Sequence, residues 1–252
     1  MEPLLEVKGI TKVFKKGKND FVAVDNVSFD VMPGEILGIV GESGSGKSTV
    51  AKMITNLLDV TEGTILFEGR EITNAQGIER KKLYRDIQMV FQTPTGSFDP
   101  RKTLGNGMGE SLITQGYPKK MVNERVTGLL EKCGLPADFA NRYPHQVSGG
   151  QCQRAAIARA LANNPKLIIC DEATSALDVT VQKQVLELLM GLKEETGVSY
   201  IFICHNLALV QQICDKVIVM YDGKVVESGT ADEVIMNPKS EYTKTLLESC
   251  FD

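Results

Sequence analysis

The segment Gly41-Glu42-Ser43-Gly44-Ser45-Gly46-Lys47-Ser48-Thr49 constrains this chain more than any other. It follows the apolar run ILGIV and precedes a stretch in which Val50, Met53, Ile54, Leu57 and Leu58 recur at spacings of three and four. An apolar run, three glycines and a helical repeat in this order predict a buried strand, a tight loop and a helix over residues 46–58. Residues 41–48 also match the pattern G-x-x-x-x-G-K-[ST] at every fixed position.

This pattern predicts a phosphate-binding loop. Its glycines allow successive backbone N–H groups to face phosphate oxygens, and the following helix N-terminus adds partial positive charge. We expect Lys47 to reach the β- and γ-phosphates of a nucleotide and the Ser48 hydroxyl to serve as a Mg²⁺ ligand. The whole segment from Gly41 to Thr49 is therefore the predicted nucleotide-contacting loop.

A pair of acidic residues follows another apolar run, in the stretch LIICDEATSALD. The run predicts a strand that places Asp171 and Glu172 at its carboxyl end, where ligands of open α/β sheets collect. We expect Asp171 to hold Mg²⁺, usually through water, and Glu172 to orient or deprotonate the attacking water. Alone, two such carboxylates could be a solvated strand end, but beside a phosphate loop the catalytic interpretation is favoured.

A second helix start carries exposed backbone donors. In the stretch VSGGQCQR, Ser148, Gly149 and Gly150 precede a helical pattern. A helix N-terminus of this kind can bind an anion. By itself the motif is a weak signal and usually marks only the beginning of a helix.

Strands alternating with helices favour an α/β fold with a mostly parallel sheet. Early β-rich runs with tight turns add an antiparallel N-terminal β subdomain. Residues 95–164 differ in composition from the segments around them. Their first part is rich in turn-forming residues and helical periodicity follows, which predicts an inserted helical subdomain. We predict one domain over residues 1–252, with residues 1–94 and 165–252 forming the core.

Composition excludes several classes of function. Lys and Arg number 28 against 32 Asp and Glu, a net charge of −4 that offers no general attraction to nucleic acid. The N-terminus does not resemble a secretory signal, and no apolar run approaches the length of a membrane span. The six cysteines include no C-x-x-C pair, so neither a zinc site nor a disulfide framework is indicated.

Taken together, the motifs resemble those of the nucleotide-binding subunits of ATP-binding cassette (ABC) transporters. The phosphate loop, Gln92 in VFQTP, the signature VSGGQ, Asp171 with Glu172, the loop SALD at 175–178 and His205 occur in the family order. They extend over essentially the whole chain. This family resemblance implies the phosphate-loop NTPase (RecA-like) type of the α/β fold.

The resemblance implies a role for each matching residue. Gln92 would contact Mg²⁺ and the nucleophilic water, and His205 would contact the γ-phosphate. Phe14 would stack on adenine, although Phe21 or a core position for either ring stays open. Two cassettes would close head to tail, so that each ATP lies between one phosphate loop and the signature of the other chain. The residues implied on that opposite surface are Ser148, Gly149, Gly150, Gln151 and Asp178.

Two stretches are similar to the oligopeptide, dipeptide and nickel importer branch: FQTPTGSFDPRKTLG and the tail NPKSEYTKTLLES. We predict a short helix from Glu241 to Glu248 that packs Leu246 and Leu247 on the core. Val147 stands where the family more often has leucine, and Asn206 where it more often has aspartate.

The predicted function is ATP hydrolysis, with ATP and Mg²⁺, that drives an importer of oligopeptides, dipeptides or nickel. Implied partners are a second cassette, identical or paralogous, two membrane permeases and, indirectly, an extracytoplasmic solute-binding protein. The chain would lie at the cytoplasmic face of the membrane. A soluble ATPase of a phosphonate-degradation complex is the alternative. A GTPase is disfavoured because the guanine-reading pattern N-K-x-D does not occur. A kinase is disfavoured because it would have no use for residues 148–151 as a second phosphate-binding surface.

Overall fold

The computed structural model describes residues 2–16, 19–93, 95–173, 178–205 and 207–251. The chain divides into two compact units, one of residues 1–84 with 197–252 and the other of residues 85–196. The predicted helical segment 95–164 falls within the second unit. Parallel strand pairs, antiparallel strand pairs and helices are all present, and the predicted α/β fold class is confirmed.

The first unit contains two groups of strands, numbered in chain order. An antiparallel sheet has the order β2-β1-β4-β5 and comprises β1 (Leu5–Lys16), β2 (Asn19–Val31), β4 (Glu62–Phe67) and β5 (Arg70–Glu71). In the other group β3 (Ile36–Val40) pairs in parallel with β8 (Ser199–Ile203) and β9 (Lys216–Tyr221), and β9 pairs antiparallel with β10 (Lys224–Thr230). Every residue of β3 and β8 is buried, as the uninterrupted apolar runs predict.

Helices of the first unit follow or flank these strands: α1 (Lys47–Ile54), α2 (Gly77–Asp86, which ends across the unit boundary), α7 (Leu207–Ile213), α8 (Ala231–Met236) and α9 (Glu241–Phe251). The helix predicted in the tail is confirmed as α9, and Leu246 and Leu247 are both buried.

The second unit is mainly helical. Its strands β6 (Ile87–Val90) and β7 (Leu167–Asp171) pair in parallel. Its helices are α3 (Leu104–Thr114), α4 (Lys119–Lys132), α5 (Gly149–Leu161) and α6 (Val179–Thr196), with 3-10 turns at Thr95–Ser97, Ala137–Asn141 and Pro144–Gln146. The spacing of Val181, Val185, Leu188, Leu189 and Leu192 predicts the core face of α6. Three of them, Val185, Leu189 and Leu192, are buried, whereas Val181 and Leu188 are half-buried.

The dipeptides Glu68-Gly69 and Asp222-Gly223 each separate two strand-like runs, which predicts two hairpin turns, and both predictions are confirmed. Phe67 faces Arg70 across the turn Glu68-Gly69, and Tyr221 faces Lys224 across the turn Asp222-Gly223. All four turn residues have positive φ, between 45° and 77°. Two consecutive positive φ values are what a two-residue type I′ hairpin turn requires.

The predicted extent of the first helix was wrong. We expected it to continue to residue 58, but α1 ends at Ile54, and Leu57 is 52% exposed instead of lying on a buried face. The Thr55 hydroxyl donates to the Ala51 carbonyl at 2.9 Å, and Asn56 has a φ of 55°. A residue in the left-handed region ends a helix, and asparagine adopts it more readily than most residues do.

The interpretation of residues 93–111 as a turn-rich stretch was also wrong in part, because α3 begins within it at Leu104. Thr103 caps this helix by accepting a hydrogen bond from the Asn106 N–H group. A Cβ atom at Gly105 would lie 2.7 Å from the Ala140 carbonyl oxygen, and one at Gly109 would lie 2.5 Å from a Val122 methyl group. These glycines therefore serve close packing of the helix and do not mark turns.

Five of the six cysteines are buried and form no disulfide, namely Cys133, Cys152, Cys170, Cys204 and Cys214, and the side chain of Cys250 is outside the described part. Burial raises the pKa of the Cys133 thiol to about 12 and that of Cys152 to about 11. Such thiols stay protonated at neutral pH and act as small apolar groups.

Candidate functional site

The phosphate loop leaves the carboxyl end of β3 and enters α1. Gly46 is the N-cap of α1 with a φ of 100°, and the Val50 N–H group donates to its carbonyl at 3.0 Å. Glu42, Ser43 and Gly44 are exposed, Ser45 and Lys47 are buried, and Ser48 and Thr49 are half-buried. The predicted order of strand, loop and helix is confirmed.

Lys47 is the most constrained side chain of this loop. It is only 5% exposed, and its amine donates to the Gly41 carbonyl at 2.8 Å and to the Glu42 carbonyl at 2.7 Å. The Ser45 hydroxyl lies 3.4 Å from the same nitrogen. A buried ammonium needs such oxygen partners, and phosphate oxygens are of the same kind.

Gly41 sits where no other residue fits. A Cβ atom there would lie 2.1 Å from the Met220 carbonyl oxygen, and its φ is 145°. At Gly44 the φ is 85°, but a Cβ atom would meet nothing within 4 Å. A side chain at Gly44 would therefore cause backbone strain alone, whereas a side chain at Gly41 would cause both backbone strain and a steric clash.

We expect Gly41→Ala to lower the free energy of unfolding by at least about 3 kcal/mol, the sum of an overpacking term and a strain term. Gly44→Ala carries only the strain term, about 1 kcal/mol. Urea unfolding of both variants measures the difference. Equal losses at the two positions would contradict the close approach of the loop to Met220.

The other predicted residues of the first unit are exposed. His205 follows β8, while Asn206 lies outside the described residues. Phe14 and Phe21 are direct cross-strand partners and are 38% and 57% exposed. Because opposite residues of an antiparallel pair share a face, both rings stand on one surface, and neither is a core residue. The Lys12 amine lies 5.3 Å from the centroid of the Phe14 ring.

In the second unit, Asp171 ends the buried strand β7 and is 8% exposed, and the half-buried Glu172 follows it. Gln92, just after β6, donates its side-chain N–H to the Glu172 carboxylate at 2.6 Å. Glu172 has a φ of 47°, an uncommon backbone conformation for a residue other than glycine. Strain of this kind is concentrated at functional sites, and here it coincides with the predicted base.

Ser148 begins α5 with a reciprocal cap. Its hydroxyl accepts from the Gln151 N–H group at 3.3 Å, and the Gln151 side chain accepts from the Ser148 N–H group at 2.9 Å. Gly149 is exposed, and a Cβ atom at Gly150 would lie 2.6 Å from a Val181 methyl group. Asp178 is exposed, and its carboxylate accepts from the Val181 N–H group at 3.0 Å. The remainder of the SALD loop, residues 175–177, lies outside the described residues.

One contact of the loop was not expected from the sequence. The Glu42 N–H group donates to the Tyr242 hydroxyl oxygen at 3.0 Å, across 200 residues of chain. The tail pattern contains this tyrosine, but nothing in its local sequence indicates which part of the molecule its hydroxyl reaches.

The donor atoms suit a nucleotide with Mg²⁺. The loop combines a buried amine with glycines at which side chains are excluded, as close approach to phosphate requires. Each unit carries oxygen atoms of the hard kind that Mg²⁺ prefers: the Ser48 hydroxyl in the first, and the Asp171 carboxylate and the Gln92 amide in the second. A glycine loop of this form between a buried parallel strand and a helix defines a phosphate-loop nucleotide-binding protein of the α/β class.

Comparison with known proteins identifies a family within this class of phosphate-loop proteins. A family model described as "ABC transporter" matches residues 24–175. The chain is 48% identical over 248 residues to the oligopeptide transport ATP-binding protein OppF of Escherichia coli (strain K12), covering 97% of this chain and 74% of OppF. It is 45% identical over 254 residues to the glutathione import ATP-binding protein GsiA of Salmonella paratyphi A, covering 98% of this chain but only 41% of GsiA.

Comparison with solved structures indicates the same family. The ATP-binding cassette MJ0796, described as a dimer in a post-hydrolysis state bound to ADP and Pi, matches with a TM-score of 0.83 at 33% identity, over 90% of this chain and 98% of that one. The protein cbiO1 of Clostridium perfringens, part of the ABC transporter complex cbiONQ, matches with a TM-score of 0.82 at 27% identity, over 94% of this chain and 92% of that one.

The chain belongs to the ABC transporter family. The predicted resemblance to the ATP-binding subunits of its peptide-import branch is confirmed, and these relatives give no support to the phosphonate-degradation alternative. Among the helices of the described residues, none is long and apolar enough to cross a membrane.

Proposed function

We propose that this chain is the ATP-hydrolysing subunit of an ABC importer for small peptide solutes, acting with Mg²⁺. The observation that carries the proposal is the phosphate loop with the Lys47 amine buried among its own oxygens. The amine needs only to exchange one set of oxygen partners for another when phosphate arrives, so little reorganisation is required.

The first unit supplies nucleotide binding. The loop N–H groups receive the phosphates, Lys47 neutralises their charge, and the Ser48 hydroxyl offers an oxygen to Mg²⁺. His205 contacts the γ-phosphate, as the family resemblance implies. Phe14 stacks on adenine, with the exposed Phe21 opposite it as the other candidate.

The second unit supplies hydrolysis. Gln92 donates to Glu172, which orients the carboxylate that accepts a proton from the attacking water. The bond uses the amide nitrogen of Gln92, so its amide oxygen is the atom suited to a cation. Asp171 would hold the metal. When bound, Mg²⁺ supplies charge neutralisation of the phosphate oxygens.

A second cassette, identical or paralogous, completes each site. The capped N-terminus of α5, with Ser148, Gly149, Gly150 and Gln151, faces the ATP of the opposite chain, and Asp178 lines the contact between the cassettes. Because the γ-phosphate gains these contacts only when the pair is closed, ATP favours closure and its cleavage permits reopening. The MJ0796 cassette, which has been described as a dimer, supports this part of the proposal.

The names of the relatives support the proposal for the transported solute. OppF is named for oligopeptide transport and GsiA for glutathione import, which favours a peptide over nickel. Residues 95–164, as the helical subdomain, transmit closure to two permeases at the cytoplasmic face of the membrane, and a solute-binding protein delivers the peptide from the other side.

Affinity purification of the tagged chain from its own cells tests the transport role. We expect two polytopic membrane proteins and a second ATP-binding cassette to be retained, and ATPase activity in that preparation to rise when a peptide-loaded binding protein is added. A stable, soluble assembly that contains no polytopic protein would contradict the role in transport.

A further inference from the structure

The peptide group between Gly41 and Glu42 is held at both of its ends. Its carbonyl oxygen, that of Gly41, accepts from the Lys47 amine at 2.8 Å, and its N–H group, that of Glu42, donates to the Tyr242 hydroxyl oxygen at 3.0 Å. A single rigid amide plane therefore connects the C-terminal helix with the lysine of the phosphate loop. Hydrogen bonds in such a chain polarise and strengthen one another.

Tyr242 is itself firmly placed by the fold. The Glu227 carboxylate of β10 accepts from the N–H groups of Lys239 at 2.8 Å and Ser240 at 3.0 Å, immediately before α9 begins. Burial tends to raise the pKa of Glu227, but these hydrogen bonds, that of Lys239 foremost, outweigh it and hold the pKa below its ordinary value. Glu227 is therefore ionised at neutral pH and fixes the start of α9 as an anion at a helix N-terminus.

The tyrosine ring is also packed. Its centroid lies 4.3 Å from that of Tyr221, at the end of β9, with a tilt of 38° between the rings. Burial raises the pKa of Tyr242 above its ordinary value, although the hydrogen bond from Glu42 opposes this, so the hydroxyl stays neutral at physiological pH. Its oxygen is thus held in place to accept from the loop.

We propose that Tyr242 is a positioning residue for Lys47: its hydroxyl fixes the Gly41–Glu42 peptide plane and thereby makes α9 part of the nucleotide site. The proposal rests on the proposed function, since it concerns the same phosphate loop. When Lys47 turns from the loop carbonyls to phosphate, the Tyr242 bond keeps the peptide plane from rotating with it.

Binding of trinitrophenyl-ADP and trinitrophenyl-AMP, followed by fluorescence on the full chain with Mg²⁺, tests the proposal. Tyr242→Phe removes the one hydroxyl and keeps the ring. We expect the Kd for the ADP probe to rise about fivefold, the scale of one neutral hydrogen bond, because Lys47 contacts the β-phosphate. The Kd for the AMP probe, which lacks that phosphate, should change less than twofold.

Tyr221→Phe is the matched control, because Tyr221 belongs to the same ring pair. The loop bond in the described structure is made by the Tyr242 hydroxyl, so this substitution removes a hydroxyl and leaves that bond intact. It should leave both Kd values within about twofold of the parent, inside the spread of measured single-site effects. Glu227→Ala releases the start of α9 and should raise the Kd for the ADP probe. Adding Tyr242→Phe to it should then have little further effect, because both changes act through the same bond.

A Tyr242→Phe variant with unchanged affinity for the ADP probe overturns the inference while the proposed function stands. Equal weakening of both probes also overturns it, since a merely structural role would act on the whole site. If the parent chain retains neither probe, the proposed function fails as well.

Discussion

Replacing Glu172 by glutamine is expected to lower ATP turnover by roughly 100-fold or more, the scale of general-base catalysis, while leaving ATP affinity near that of the parent. The side chain keeps its shape, and its amide oxygen can still accept from Gln92 as the carboxylate does at 2.6 Å. What the substitution removes is the negative charge and the basicity that accept a proton from water. Binding depends on the phosphate loop, so it should survive.

Glu124→Gln, on the exposed face of α4, provides the matched control, because it makes the same chemical change in the same unit away from Gln92. Turnover is measured as phosphate release and affinity as ATP retained on the protein. A Glu172→Gln variant that hydrolyses ATP at a near-normal rate would exclude the assigned role of Glu172. A variant that loses ATP binding as well would indicate a role in binding rather than in proton transfer.

Replacing Lys47 by alanine is expected to weaken nucleotide binding by about 100-fold or more. The amine can make at least two charge-assisted hydrogen bonds to phosphate, each contributing about 1.5–3 kcal/mol. Its present bonds to the Gly41 and Glu42 carbonyls show that it reaches the inner side of the loop. Their loss leaves polar groups without a partner and should also lower the free energy of unfolding by about 1–3 kcal/mol.

Lys52→Ala serves as the control because Lys52 lies in the last turn of the same helix and is exposed. It should change the affinity for ADP less than twofold, with a stability loss of only a few tenths of a kcal/mol from the helix dipole. Titration calorimetry with ADP compares the two variants, and thermal unfolding checks that each is folded. Equal affinities for ADP would contradict the placement of the amine in the binding loop.

Much of the fold could be predicted because its signals are local. The runs that became β3, β7 and β8 are mostly apolar and are buried along their whole length, and the turns Glu68-Gly69 and Asp222-Gly223 carry residues that suit positive φ. The error at the start of α3 arose because distant residues decide the outcome. Gly105 and Gly109 indicate turns by composition, yet they lie inside α3 because other segments pack against them closely.

The parts of the candidate site that could be predicted from the sequence are likewise the local ones. The phosphate loop could be predicted because its atoms come from nine consecutive residues, whose spacing determines the local geometry. The bond from Gln92 to Glu172 spans 80 residues, and the bond from Glu42 to Tyr242 spans 200. Long-range partners of this kind depend on how strands and helices assemble, and no local pattern identifies them.

Phosphate release by the assembled complex tests the account most directly, with the chain, its second cassette and the permeases in the presence of ATP and Mg²⁺. The proposed ATPase role predicts steady release by the parent, retention of ATP without release by the Glu172→Gln complex, and neither retention nor release at the loop of the Lys47→Ala chain. Steady release by the Lys47→Ala chain, or no ATP retained and no phosphate released by the complete parent complex, would contradict it.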